Sequence, residues 1–512
     1  MTLFAPHTID ASIGRAHLRT LRRVTRLALA AAIAAAPLAA SARLLQPFPE
    51  NAFRPTLVNG THVAEVRAAW NLPGYGYLID VHRRSDDVNV YDYAGGLCWR
   101  DPLASGAAAN SLIAYYARSW RDFDTVFANA PDGRQFHAGW LPLVPTLCTR
   151  NTNRNSLLYT FDAVTSSFVE LYPYSAERGI DWAQRRAALR PRAMAAKSAE
   201  ELKAIFTEFM QGLEDPHTGI NGTIDDGTPD GQPFEIGSSA GKATFHHLRA
   251  LHAASHSTDD FYAWLATVWQ KQDYADVSAL FDRSRASSLD RHTPDLNGFL
   301  VWGVLEGSNV GYVSFGQMMG FEDGADLARE RELAGTAIDA VLAQLKDTDA
   351  LVVDVSTTLG GYAEVAADLA ARFADRRRLA YTTQAPGARG TAPQPYYVTP
   401  AGQSHYAKPV MLLTSDLTVS AGERFVLLMR ALPNVLHVGQ ATQGALNGGL
   451  GKGLPNGWEF GMPNEVLRDA QGVVHEVAGI APSVALDVFP ADDFDDGHIK
   501  AVQRAAQLGG AP

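Results

Sequence analysis

Two serines sit in stretches whose spacing could make a nucleophile. Ser420 lies in Thr414-Ser-Asp-Leu-Thr-Val-Ser-Ala-Gly-Glu-Arg424, after the apolar run 409–414 and before a second run, 424–432, that Pro433 stops. The first run reads as a buried strand and the second as a helix, which puts Ser420 at a strand-to-helix corner. A hydroxyl there meets the free N–H groups and positive end of a helix, a setting suited to a developing oxyanion. Helices also favour serine as an N-cap at that position, so residue type alone leaves both roles open. Ser239, in Gly237-Ser-Ser-Ala-Gly241, fits the G-x-S-x-G pattern of an esterase nucleophile, which works only behind a buried strand. Its lead-in, 227–236, carries two prolines and no strand period, and reads as a flexible loop.

A serine nucleophile needs a base, and the base needs an orienting acid. Four blocks of the chain, taken in order, resemble the signatures of the S41 serine peptidases, the family of tail-specific and tricorn-type proteases. Leu213-Glu-Asp-Pro-His-Thr218 is similar to L-x-D-x-H-T, and Thr418-Val-Ser-Ala-Gly-Glu423 to T-x-S-A-x-E. Leu351-Val-Val-Asp-Val-Ser-Thr-Thr-Leu-Gly-Gly361 resembles the family's strand and glycine loop, and Glu476-Val-Ala-Gly-Ile-Ala-Pro-Ser483 its E-x-x-G-hydrophobic-x-P-D segment. The resemblance covers 160–222 and 300–510. It implies an α/β core of the ClpP/crotonase type, with Ser420 as nucleophile, His217 as general base and Glu476 as the acid that orients the imidazole. The oxyanion hole would come from the backbone N–H groups of Gly360 and Ala421, with Gly361 beside them. No metal or organic cofactor is implied.

The branch of the family also shows in the residues. Tail-specific proteases place a lysine base about two dozen residues after the serine; here Ala445 stands there, and Lys452 comes seven residues late. The Ser-His-Glu arrangement of the tricorn type is the better match. That type carries a serine just before the histidine, where this chain has Pro216, so His217 must reach Glu476 directly, through water, or not at all. Ser356 and Thr358 replace the usual Arg and Asn of the glycine loop, and Ser483 replaces an Asp. Glu423, one turn after Ser420, is the runner-up acid and completes the Ser-x-x-Glu pattern of a capping box. Asp354, at the strand end, reads as a residue that pins the glycine loop.

The elements that must position these residues follow from period and composition. From 43 to 160 the chain is rich in aromatics, glycine and short alternating runs, which predicts a small antiparallel β domain. The period lengthens toward 3.6 over 161–222, a helical segment carrying His217. The stretch 222–242 reads as a loop opening a loop and helical insert, 223–298. Over 299–512, strands at 310–314, 350–355, 379–383, 410–414 and 435–438 alternate with helices at about 324–345, 362–375 and 420–432. That alternation predicts an α/β core with a largely parallel sheet.

Composition bounds the partners and the compartment. Residues 1–42 are net +4, five arginines against Asp10, which leaves −15 on the rest of a chain whose formal charge is −11. A clustered positive field for nucleic acid is missing. The arginine-rich start, the apolar run 27–40 and Ala40-Ser41-Ala42 resemble a signal peptide cut after Ala42, so a periplasmic or extracellular protein with no stable membrane span is expected. The cysteines, Cys98 and Cys148, could then pair, or stand as buried small hydrophobes. His246 and His247 are adjacent on a helical stretch, point apart and make no metal site. The expected partner is a peptide or protein substrate. The alternative is a non-catalytic module holding an apolar ligand or peptide on the aromatic β domain.

Overall fold

A computed structural model of the chain describes residues 46–510, apart from 106, 120–123, 151–154, 226, 229–230, 238–241, 290–294 and 387–391. The leader, its cleavage site and Ser239 lie outside the described residues. Between Arg54 and Leu141 the alternating runs pair into one antiparallel sheet of eight strands. Gly95 and Gly96 both take positive φ, 60° and 76°, and link Val88–Ala94 to Leu97–Ser105 by the two-residue turn whose twist matches a hairpin. Cys98, on the second of these strands, is disulfide-bonded to Cys148 in the short helix Thr146–Thr149.

Three helices follow: Leu157–Leu171, Trp182–Ala195 and Ala199–Phe209. The side chains of Ser156, Asp181 and Ser198 cap them by accepting amide hydrogen bonds three residues on. Their apolar faces meet around Phe168, whose ring lies 4.9 Å from Trp182 and 5.5 Å from Phe209. This packing fixes the turn that carries His217.

The segment 222–242, expected as a loop, contains the strand Gln232–Gly237, antiparallel to Gly219–Ile224. These two join Gly449–Gly453 and Glu459–Pro463 in a four-stranded sheet, with Gln232–Gly237 at its edge. Pro233, which has no N–H to give, is tolerated on an edge, and only Phe234 and Ile236 turn inward. The rest of the insert is helical, through Ala243–Ser255 and Phe261–Trp264 to Gln270–Ser278.

The core is a six-stranded sheet. Leu300–Val304 runs antiparallel to Val310–Phe315; Val310–Phe315, Ala350–Asp354, Val410–Thr414, Val435–Gly439 and Val484–Ala485 are parallel. Alternate side chains enter different cores. Leu351, Val353, Val410 and Leu412 pack under Leu327–Leu345, Ala363–Ala371 and Ala421–Arg430, whereas Ala350, Val352, Met411 and Leu413 pack with Gln270–Ser278 and Phe494–Leu508. Burial on both faces is why these strands read as unbroken apolar runs. The strand expected at 379–383 is a correction. As Arg378–Gln384 it pairs antiparallel with Gln394–Val398 and Val466–Asp469 in a separate three-stranded sheet. Its half-exposed pattern suits a sheet with one open face.

Candidate active site

Ser420 immediately precedes the helix Ala421–Arg430. Its backbone stands at φ 59°, ψ −118°, outside the extended region that an ordinary N-cap adopts. For a residue with a Cβ such a conformation costs on the order of 1–3 kcal/mol, so surrounding contacts must hold it. The Ser420 N–H donates to Ala445 O at 3.1 Å and to Glu423 Oε2 at 3.3 Å. Glu423 also accepts from Thr442 Oγ1 at 2.6 Å and from the Gly444 and Ala445 amides at 2.7 and 2.8 Å. Burial pushes this carboxyl up to about 7 while those donors pull it down. Both Glu423 oxygens are therefore used in tying the loop 442–445 to the corner.

His217 comes from a turn 203 residues away in sequence, and its Nε2 lies 3.1 Å from Ser420 Oγ. Asp215 shapes that turn: its Oδ1 accepts the His217 N–H at 3.0 Å and its backbone O accepts the Thr218 N–H at 3.0 Å. Asp215 Oδ2 is held by the Tyr172 hydroxyl at 2.7 Å and by Arg178 at 3.6 Å. Burial pushes the imidazole below its ordinary value, against the pull of Asp215 and with the help of Arg424 and Arg178. A neutral imidazole beside a hydroxyl can accept its proton.

Glu476 is 4% exposed and its Oε2 accepts the Leu446 N–H at 3.1 Å. It makes no hydrogen bond to His217. Glu476 Oε1 and His217 Nδ1 are both buried without a partner among the described residues, and Asp215 and Arg178 act on both groups. Burial pushes the Glu476 carboxyl well above the usual carboxylate range, and Asp215 and Glu423 push it further.

Gly360 and Gly361 stand at φ 104° and 134°. A Cβ on Gly360 would lie 2.8 Å from Ser420 Cβ, and one on Gly361 2.5 Å from Met318 C, so only glycine fits either position. The loop is anchored by Met318 N–H donating to Gly360 O at 2.8 Å and by Val419 N–H donating to Thr358 O at 3.1 Å. Among the described residues, neither the Gly360 nor the Ala421 N–H donates a hydrogen bond. The candidate lysine of the other branch stands elsewhere: Lys452 pairs with Asp92 at 2.7 Å, both fully buried.

Residues 309–486 match the model of peptidase family S41. The matched segment carries an S41 peptidase domain. Solved structures resemble this chain along most of their length. A candidate peptidase from Parabacteroides merdae is 21% identical, with 70% of this chain and 97% of that one covered at a TM-score of 0.49. Mature CPAF complexed with lactacystin is 13% identical, with 69% and 97% covered at 0.45. The photosystem II D1 C-terminal processing protease is 15% identical, with 69% and 97% covered at 0.39.

The glycine loop is pinned from behind by Asp354 and by residues that sequence reasoning missed. Asp354 accepts the Ser356 N–H at 2.8 Å and the Tyr312 hydroxyl at 2.9 Å, and its Oδ2 lies 2.8 Å from His498 Nε2. His498 Nδ1 lies 2.7 Å from Asp273. Against the cost of burial, Asp273 and Asp354 push His498 up to about 10, so it is a buried cation. Gln270 Nε2 donates to Thr357 O at 2.9 Å, and Tyr274 shares a hydrogen bond with Thr357 Oγ1 at 3.1 Å. Ser356 and Thr357 thus meet partners from the insert and the last helix. No motif announces Gln270, Asp273, Tyr274 or His498; each is a lone polar side chain on a helix. On the open side, Ser420 and Ala421 face a cleft of about 960 Å³, which Arg134, Tyr381, Tyr396 and Arg424 also line.

Proposed function

We propose that the chain is an exported serine peptidase that cleaves peptide bonds through an acyl-enzyme on Ser420. The observation that carries this reading is the 3.1 Å approach of His217 Nε2 to a Ser420 hydroxyl held at positive φ on a helix N-terminus. His217 takes the Ser420 proton as Oγ attacks the scissile carbonyl, then returns it to the leaving amine. Water enters by the same route in reverse and releases the acid. The free N–H groups of Gly360 and Ala421 receive the oxyanion, each such donor contributing about 3 kcal/mol to the transition state. With Pro216 in place of a bridging hydroxyl, Glu476 holds the imidazole tautomer across a water that satisfies Oε1 and Nδ1 together. Buried polar atoms left bare are costly, which is the physical reason to place a water between them.

Export rests on the arginine-rich, apolar leader ending at Ala42 and on the Cys98–Cys148 disulfide, which an oxidising compartment sustains. No helix of the described residues is long and apolar enough to cross a membrane.

A fluorophosphonate probe tests the nucleophile. Native protein should be modified at Ser420 between about pH 6 and 9, and His217→Ala should abolish labelling while the fold persists by circular dichroism. No labelling anywhere in that range would leave the ligand-binding module as the reading.

A further inference from the structure

Two guanidinium groups converge beside Ser420, and one lacks a carboxylate. Arg424 stands one helical turn after Ser420 and is 8% exposed. Its Nε donates to Leu446 O at 2.9 Å, and its Nη2 is buried with no partner among the described residues. Arg134 reaches the same cleft from the β domain, its Nε 3.3 Å from Glu465 Oε2. Neither of its terminal nitrogens donates a hydrogen bond among the described residues. Gly448 lies between the two groups: a Cβ there would be 3.1 Å from Arg134 Nη2 and 3.9 Å from Arg424 Nη2. A side chain at 448 would fill the gap that the two cations border.

The acids nearby do not neutralise this pair. Glu465 serves Arg134 and also accepts the Tyr75 hydroxyl at 2.7 Å. Asp132 and Asp368 both clamp Arg331, at 2.7 Å each, and Glu364 Oε1 accepts from Asn129 at 3.1 Å. Tyr381 and Tyr396, stacked at 4.7 Å between ring centroids, supply an apolar wall, with Arg424 Cζ 5.9 Å from the Tyr381 ring. A buried cation without an anion is expensive, and a ligand anion relieves it.

We infer that Arg424 and Arg134 form a subsite for a carboxylate of the peptide substrate, next to the bond that is cut. A planar guanidinium pair suits a carboxylate by its paired N–H donors. That carboxylate is a Glu or Asp side chain flanking the scissile bond. The inference rests on Ser420 as the reacting centre.

The test measures binding to the full chain carrying Ser420→Ala, which holds peptides uncleaved. Fluorescent hexapeptides in an alanine and tyrosine background carry a single Glu or its isostere Gln at each position in turn, each made as free acid and as amide. Anisotropy should show one Glu register binding about tenfold to a hundredfold tighter than its Gln counterpart, the range of a charge-assisted hydrogen bond. A preference at one Glu register in both the acid and the amide series supports the subsite; a preference only for free acid over amide overturns it. Arg424→Gln should bring that ratio to about one, and Arg424→Lys, which keeps the charge, should retain part of it. A ratio near one for every pair in the parent protein, or a ratio that survives Arg424→Gln, overturns the subsite. Should Arg424→Gln not fold, the parent ratio together with Arg424→Lys still decides. Fluorophosphonate labelling of the native protein is a separate readout: labelling without discrimination sinks only the subsite, and discrimination without labelling sinks only the nucleophile.

Discussion

Two histidines beside acids, His498 buried and His217 half-buried, have opposite surroundings. His498 has a carboxylate on each ring nitrogen, Asp273 on Nδ1 and Asp354 on Nε2, and stays protonated to about pH 10. His217 has a hydroxyl on Nε2, no partner on Nδ1 among the described residues, and arginines nearby that disfavour charge. A locked cation has no lone pair to offer near neutral pH, whereas a neutral ring with one lone pair aimed at Oγ can accept a proton. Desolvation acts on both; the sign and placement of neighbours decide which is locked as a cation and which is left neutral.

The comparison breaks first at His498. His498→Gln should leave Asp273 and Asp354 as buried carboxylates without their cation, a loss of about 3–5 kcal/mol of stability by denaturant titration. The same change should lower kcat more than it raises KM, because Asp354 holds the loop that presents Gly360. An unchanged denaturation midpoint would refute the brace. Glu476→Gln probes the other histidine: kcat should fall about a hundredfold, the scale of a mispositioned catalytic group, with little change in stability. A loss as small as twofold would remove Glu476 from the machinery.

Acidity separates the two histidines with the smallest effects. The folded pKa of His217 lies below 6.5, so the acidic limb of kcat/KM should fall at a pH below that ordinary value. In the fold's energetics its neutral form is favoured, a contribution present above the unfolded pKa and lost as pH drops through the folded one. His498 has the opposite sign. Its contribution is complete below the unfolded pKa near 6.5 and disappears as pH rises through about 10. Denaturant midpoints should therefore decline on the alkaline side in the parent and show no such decline in His498→Gln.

Much of this was legible in residue order. The apolar strand 410–414, the helix after it and the Gly360-Gly361 pair are local patterns whose geometry depends on residues a few positions apart, and the structure keeps them. The edge strand Gln232–Gly237 was not legible, because its prolines read as loop residues until a neighbouring strand is present to make an edge. The small antiparallel sheet at 378–384 was misplaced for a related reason: a strand pattern does not say which sheet receives it.

Sequence by itself determined the chemical parts: a serine at a strand-to-helix corner, a histidine after a helical segment, a glutamate near the end, and glycines where a side chain could not stand. Tertiary structure alone decided that His217 meets Ser420 across 203 residues, that Ser420 is held at positive φ, and that His498 is charged while His217 is not. Residue type and spacing act over a few bonds. A proton's place depends on burial and on charges that arrive from distant segments, and those exist only once the chain has folded.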